Sequence, residues 1–373
     1  MTKHDFTIKT ITPIHIWSGN EYGTSEYIES KVKTNKGNVV DIFKRINIDE
    51  YYSSLDEDKK DDFIANLSDG AFKLGDYDKN IKFKKYNAYD KCKEKPTVNQ
   101  KIKEHIRSAK EFFIPGSSIK GAIKTALLYN LLDEDRIPDL IDYLIPKSRM
   151  NKKEYKEFEK RYNKFMKRIF SSYEGNPAQY NIMRFMIIAD SSSIKNPSIY
   201  DVISVMAKDY GKNQFYSRNR NVVRSFIETI DRNRKLESTI TLNYNQDIIN
   251  RLNLNDKEKL LDLNYIKKSI YNFSKDYIKH EIEFSEDYNI SYLEKFYKDI
   301  EKINTPETPL LKIGAGSGFL ATTITLKIKN YNEHYYNKVR ETLKHTYPFE
   351  FPKSRKISPS IEKPLGWTQL KFD

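Results

Sequence analysis

The sequence predicts an α+β protein of two domains. Three observations lead there. The chain has 373 residues, more than one hydrophobic core usually serves. Strand-like stretches are mixed with long helical ones, without the regular βαβ alternation of a doubly wound sheet. Composition is 38% apolar and 31% charged, with 27 Tyr and 20 Phe, which suits a globular chain and excludes a disordered one.

The elements follow in chain order. Residues 5–16 alternate through Phe6, Ile8, Ile11, Ile14 and Ile16, a half-buried strand ending near Trp17-Ser18-Gly19. Residues 26–34 and 39–44 are strand-like and flank Asn35-Lys36-Gly37-Asn38, whose Gly and Asn suit a hairpin turn. Short helices follow over 47–55 and 57–67. Phe112-Phe113-Ile114 is a short strand and Pro115-Gly116-Ser117-Ser118 a turn, with Ser117 or Ser118 as N-cap. The helix after it carries Ile119, Ile123, Ala126, Leu127 and Leu131 on one face.

Residues 133–180 read as a helical insertion. Within it, 151–172 hold eight Lys/Arg against three Glu, over a stripe of Tyr155, Phe158, Tyr162, Phe165 and Ile169 at helical spacing. Such a stripe belongs against a core with the basic face solvated, RNA contact from that face being the lesser alternative. Arg184 to Ala189 is a buried strand, and 208–235 is basic, with eight Lys/Arg against three acids. Strand structure restarts at Thr239, so the domains are set at 1–235 and 236–373. Helices are expected over 257–281 and 290–303, and Thr305-Pro306-Glu307-Thr308-Pro309 reads as a hinge. A strand, a glycine-rich loop, a helix near 331–345 and a closing strand at 366–372 complete the chain.

Charge and cysteine content narrow the function class. A balance of 65 basic against 52 acidic residues gives +13, the sign that favours a polyanionic partner. The single Cys92 supports neither a disulfide framework nor a zinc site and fits a reducing cytoplasm. The first residues lack the apolar core of a signal peptide, and no apolar run is long enough to span a bilayer. The expected setting is cytoplasmic, with no cofactor and no metal.

Two loops imitate nucleotide-binding motifs and fail as such. Leu310-Leu311-Lys312-Ile313-Gly314-Ala315-Gly316-Ser317-Gly318-Phe319 has the strand and GxGxG turn of a methyltransferase. Only 55 residues follow Gly318, too few to complete that sheet, and Phe319 sits where GxGxxG needs its last glycine. Gly116-Ser117-Ser118-Ile119-Lys120-Gly121 begins like a P-loop, but Ala122-Ile123 stands where Lys and Ser/Thr are needed. Either loop can still meet phosphate through backbone N–H groups, with Lys120 and Lys124 nearby; equally, the first can be an ordinary capped helix with solvated lysines.

Together these stretches resemble the RAMP superfamily. The matching pieces are Pro13-Ile14-His15-Ile16 with Ser18-Gly19, then Ile114 through Lys124, Asp190-Ser191, Glu228, and Gly314 through Phe319. Within that superfamily they resemble the Csm subunit that caps the crRNA 3′ end in type III-A CRISPR complexes. Trp17 departs from the pattern, where a small residue is expected, and offers a stacking surface instead. The resemblance implies tandem ferredoxin-like (RRM-like) domains with helical insertions and no nuclease chemistry. It implies crRNA as ligand, an adjacent RAMP backbone subunit and the small subunit of the Csm complex as partners, and host nucleases that trim crRNA as further candidates. Candidate RNA-binding residues are His15, Trp17, Ser18, Gly116, Ser117, Ser118, Lys120, Lys124, Arg218, Arg220, Gly314, Gly316, Ser317, Gly318 and Phe319.

Three rival classes remain. An RNA-processing endonuclease would use His15 as general base, although the sequence offers it no obvious acid partner. A target-cleaving backbone subunit would use Asp41 or Asp49 with a metal, without a carboxylate cluster around either. A structural adaptor would not touch RNA at all.

Overall fold

The computed structural model describes residues 1–34, 37–68, 70–109, 111–132, 151–172, 180–208, 212–214, 223–342 and 351–373. Its first sheet is built from both ends of the chain. Five antiparallel strands lie in the order β14 (Leu310–Lys312), β17 (Trp367–Phe372), β1 (Thr2–Thr10), β13 (Lys235–Leu242), β9 (Met186–Ile188). The N-terminal strand is central because it alternates correctly: Phe6, Ile8 and Thr10 point inward. Its Ile8 lies between Leu236 of β13 and Leu370 of β17, and Phe6 stacks on Phe372 with ring centroids 5.1 Å apart, the cross-strand pairing that stabilises a sheet.

Two helices pack on this sheet. Gly116–Leu131 buries Ile119, Ile123, Ala126 and Leu127, while Leu263–Asp287 buries Ile266, Ile270, Phe273, Tyr277 and Phe284. Tyr129 donates to Asp276 Oδ2 at 2.7 Å, and its ring lies 5.0 Å from that of Phe273. Counting β1, β9, β13 and β17 as strands one to four, the order is 4-1-3-2 with these helices in the two crossovers. That is the ferredoxin-like arrangement, and the expected α+β class is observed. The sequence boundary at 235/236 falls at the start of β13, and strands from both sides of it share this sheet.

The second sheet runs in the order β2 (Trp17–Tyr22), β6 (Ile102–His105), β12 (Ser225–Thr229), β10 (Ser198–Lys208), β5 (Lys84–Asp90), β4 (Val39–Ile46), β3 (Tyr27–Lys33). The far half of β10 pairs with β11 (Lys212–Gln214) and β15 (Ser354–Ser358), and β15 with β16 (Lys363–Pro364). A two-stranded ribbon, β7 (Arg107–Ser108) with β8 (Glu111–Phe112), leads into the Gly116–Leu131 helix. The β3–β4 hairpin and the helices Ile48–Ser53 and Glu57–Leu67 lie where sequence puts them.

Several readings change. Arg184 and Phe185 lie in a 3₁₀ turn, Ile182–Phe185, ahead of β9, and strand structure is already present in β12 and restarts at Lys235, not Thr239. The first strand stops at Thr10, and residues 11–16 form a connector between the sheets. The helix starts at Gly116 with Pro115 as its cap residue, so neither Ser117 nor Ser118 caps it; Asp190 Oδ1 accepts the Gly116 N–H at 2.8 Å instead. The presumed hinge is a pinned turn: Asn304 Oδ1 accepts from Leu310 N at 2.9 Å and from Ser274 at 3.1 Å, and Thr305 Oγ1 accepts from Thr308 N at 3.1 Å. On the Lys152–Phe170 helix the stripe does not run full length, since Tyr155 is exposed while Phe165 and Ile169 pack on the core; the side chains of Phe158 and Tyr162 lie outside the described residues. Among the described residues no helix is long and apolar enough to cross a membrane.

Candidate nucleic-acid interface

The connector 11–16 links the two motif loops, bonding directly to the glycine loop and reaching the strand before the Pro115-Gly116 turn through His105. Pro13 O accepts from Gly366 N at 3.0 Å, and Ile14 exchanges two backbone hydrogen bonds with Ile230, both 2.9 Å. His15 O accepts from Ala315 N at 2.8 Å, which joins the glycine loop to the connector. Ile16 N donates to His105 Nδ1 at 3.1 Å, and His105 Nε2 lies 3.0 Å from Phe113 O, which joins the Pro115-Gly116 turn to it from the other side.

These contacts fix the histidine tautomers. His105 accepts at Nδ1, so its proton is on Nε2 and is donated to the Phe113 carbonyl. His15 Nδ1 lies 2.6 Å from the Glu228 carbonyl oxygen and therefore carries its proton. Burial pulls His15 down to about 4 and His105 to about 3. His15 Nε2 is shielded and has no hydrogen-bond partner among the described residues, so it has no access to a substrate hydroxyl, and the general-base role lacks geometric support.

Under the connector sits Glu228, fully buried. Its carboxylate accepts from Tyr22 at 2.6 Å, Tyr86 at 2.8 Å and His105 N at 3.1 Å. Burial nevertheless pushes it up to about 7, against the pull of those three donors.

On the surface above, Trp17 is 53% exposed on β2, an edge strand. Its indole N–H donates to Asn20 O at 2.9 Å, Ser18 Oγ accepts from Asn20 N at 3.2 Å, and Lys103 Nζ lies 5.2 Å from the Trp17 ring centroid. Lys103 also acts on Lys356, which burial and then that neighbouring charge draw below the usual lysine range. Lys356 in turn borders the glycine loop, since a Cβ on Gly316 would stand 3.4 Å from Lys356 Cβ. An exposed indole, two lysines and the glycine loop thus form one continuous surface.

The glycines there have separate reasons. Gly314, Gly316 and Gly318 have φ of 75°, 78° and 82°, a region L side chains rarely enter. A Cβ on Gly314 would come within 2.4 Å of His15 O, whereas on Gly318 it would meet only Tyr277 Oη at 3.9 Å. Ser317 is buried and closes the loop by donating to Gly314 O at 2.7 Å; Phe319 is half-buried.

The first loop is differently employed from the sequence reading. A Cβ on Gly116 would strike Ile188 O at 2.1 Å, so that glycine lets the helix start pack on β9. Lys120 donates to Met186 O at 2.7 Å and Lys124 lies 5.0 Å above the Phe170 ring centroid. Both ammonium groups are turned to the protein, and burial lowers both. Ser117 is exposed and Ser118 half-buried. Arg218 and Arg220 lie outside the described residues. Among the described residues no cluster of His, Cys, Asp and Glu could hold a metal; Asp41 is exposed, 3.9 Å from Lys31.

The family model for the RAMP superfamily matches residues 7–321, from β1 through the glycine loop. The chain belongs to the RAMP superfamily. It is 27% identical to the CRISPR system Cms protein Csm5 of Methanocaldococcus jannaschii, over 96% of this chain and 87% of that protein. Its fold is similar to a subunit in the structure of a Csm–crRNA–target RNA ternary complex of a type III-A CRISPR–Cas system, with a TM-score of 0.70 and 20% identity over 99% and 100% of the two chains. It is also similar to Csm5 of T. onnurineus, with a TM-score of 0.62 and 18% identity over 97% and 99%.

Sequence reasoning missed Lys103, which comes to Trp17 through the pairing of β2 with β6, and Lys356, which comes to Gly316 only in the folded chain. It named Glu228 without seeing its role. A lone acid inside Phe226-Ile227-Glu228-Thr229-Ile230 was the available signal, because an isolated buried carboxylate needs several donors.

Proposed function

We propose that this chain is a non-catalytic, crRNA-binding subunit of a type III-A Csm effector complex and holds the 3′ end of the crRNA. The observation that carries the reading is the convergence on residues 11–16 of the family motifs, next to a surface built of Trp17, Lys103, Lys356 and the glycine loop. An aromatic face stacks on any base, lysines neutralise phosphates without reading sequence, and a glycine turn admits a backbone. That combination suits a guide whose sequence varies while its ends do not. The neighbours are an adjacent RAMP backbone subunit and the small subunit, with trimming left to host nucleases in the cytoplasm. The shielding of His15 Nε2 weighs against the endonuclease alternative.

The experiment is purification of the complex with its neighbours and sequencing of the RNA that remains bound. Repeat-derived crRNA in the wild type, reduced when Trp17, Lys103 and Lys356 are replaced by Ala together, supports the reading. Random cellular RNA refutes it.

A further inference from the structure

A cleft of about 590 Å³ opens beneath the glycine loop, lined among others by Tyr277, Glu281, Lys312, Phe319, Arg355 and Lys356. Its inner wall carries more positive than negative charge. Glu281 accepts from Arg355 Nε through both oxygens, at 2.9 and 2.7 Å. Arg355 Nη1 is taken by Pro352 O and Ser354 O. Among the described residues Arg355 Nη2 has no hydrogen-bond partner, although the residue is only 7% exposed. Lys312, 8% exposed, donates to the Tyr277 hydroxyl at 3.2 Å and lies 5.0 and 5.6 Å from the Tyr277 and Trp367 ring centroids. Among the described residues no carboxylate comes within ion-pair distance of it. Two buried cations thus share one buried carboxylate, an arrangement that is costly unless an anion completes it.

We propose that this cleft is a phosphate site, with Lys312 and Arg355 as its cationic wall, and that it takes the phosphate of a nucleotide or of an RNA end. A guanidinium with a free edge beside an ammonium suits an oxyanion bearing several acceptor oxygens. The cleft is larger than a bare ion needs, and Phe319 supplies a ring for a base. Lys312 supports the assignment: burial draws it down to about 8, Glu281 acts against that and Arg355 with it. Only the RNA-end source rests on the crRNA reading; the site itself does not.

The test uses the isolated full chain in thermal-shift and calorimetric titrations with inorganic phosphate, with UMP, and with short RNAs ending in a 3′-phosphate or a 3′-hydroxyl. Phosphate and UMP should raise the thermal midpoint and compete with each other. Lys312→Met should weaken both by roughly tenfold or more, the usual loss for one charge-assisted contact. It should leave the ligand-free midpoint equal or higher, because it removes an uncompensated buried charge. From pH 7 to 9 the binding of UMP, whose phosphate is already fully ionised there, should weaken as Lys312 loses its proton; in Lys312→Met that step should vanish. The other groups facing Lys312 titrate outside this window: Tyr277 and Tyr297 are raised well above their usual range, Arg355 is raised, and Glu281 is lowered. A preference for the 3′-phosphorylated RNA over UMP assigns the site to an RNA end, and the reverse assigns it to a free nucleotide. No response to phosphate or UMP at millimolar concentration, a response equalled by chloride, or full binding by Lys312→Met overturns the proposal. None of these outcomes depends on crRNA, so failure here leaves the reading of the Trp17 surface to its own test.

Discussion

At the residue scale, the interface joins side chains with distinct duties, and single substitutions should separate them. Trp17→Ala removes an exposed ring that supports no core, so folding should be unaffected. RNA affinity should fall by roughly 1–3 kcal/mol, the worth of one stacked base. Lys103→Ala and Lys356→Ala should each lower the slope of log affinity against log salt by about 0.7, the single-strand value per phosphate neutralised. Binding isotherms at several salt concentrations measure both. An unchanged slope in the double variant would remove these lysines from the interface.

The buried ionisable groups predict a pH profile of stability. His15 and His105 are held neutral, with folded values of about 4 and about 3. Between there and about 6.5 the unfolded chain binds protons that the folded chain refuses, so their contribution rises with pH. His280, lowered to about 4 mainly by burial, acts in the same sense. Glu228, raised to about 7, runs the other way: its contribution is complete below about 4.5 and is lost as pH rises through 7. Asp201, which burial also raises, acts in the sense of Glu228; three histidines outweigh these two carboxyls, so the thermal midpoint should climb from pH 4.5 to 6.5 and then level off. A midpoint that falls over this interval contradicts the burial of these groups.

At the element scale, the two glycine loops separate under mutation. Gly314→Ala meets both a positive φ and the His15 carbonyl, and should lower stability by more than the roughly 1–2 kcal/mol of conformational strain alone. Gly318→Ala carries the strain without the clash and should cost less. Gly121 lies inside a helix and faces open space. Gly121→Ala should therefore stabilise the chain by about 1 kcal/mol. Loss of RNA binding in that more stable variant would show that a ligand approaches the helix at this point. Chemical denaturation of the three variants checks the ranking.

Much of this was legible in the sequence at the level of elements. The alternation of Phe6 and Ile8, and the helical spacing of Ile119, Ile123, Ala126 and Leu127, report burial directly because period and face are local properties, whereas the continuation through Ile11, Ile14 and Ile16 leaves the strand. The two motif loops were legible too, since glycine and proline leave a strong local mark. Their convergence was not. It depends on backbone bonds such as Ala315 N to His15 O, between residues hundreds of positions apart that bear no complementary side-chain signature. For the same reason Lys120 and Lys124 read as free lysines. Only the packing of their helix on β9 and beside Phe170 turns their ammonium groups toward the protein.

At the scale of the whole molecule, the pairing of β1 with both β13 and β17 makes the fold depend on its two ends together. Residues 1–235 lack β14, β17 and all but the first residue of β13, and 236–373 lack β1 and β9. Neither segment expressed alone should give a cooperative thermal transition, whereas the intact chain should. A cooperative transition in either segment would contradict the shared sheet. The same topology explains how one short connector links the two motif loops: residues 11–16 leave the centre of one sheet and enter the edge of the other, so loops from both sheets meet there.

The central claim is that the surface around Trp17 and the glycine loop holds the 3′ end of a crRNA. Photocrosslinking within the assembled complex tests it most directly, using crRNA carrying a photoreactive base at either its 5′ or its 3′ end and mapping the attached peptides. Adducts from the 3′ probe alone, on peptides containing Trp17 or Phe319 and absent after Trp17→Ala with Lys103→Ala, are the predicted result. Adducts from the 5′ probe at these peptides, or 3′ adducts confined to another subunit, would contradict it.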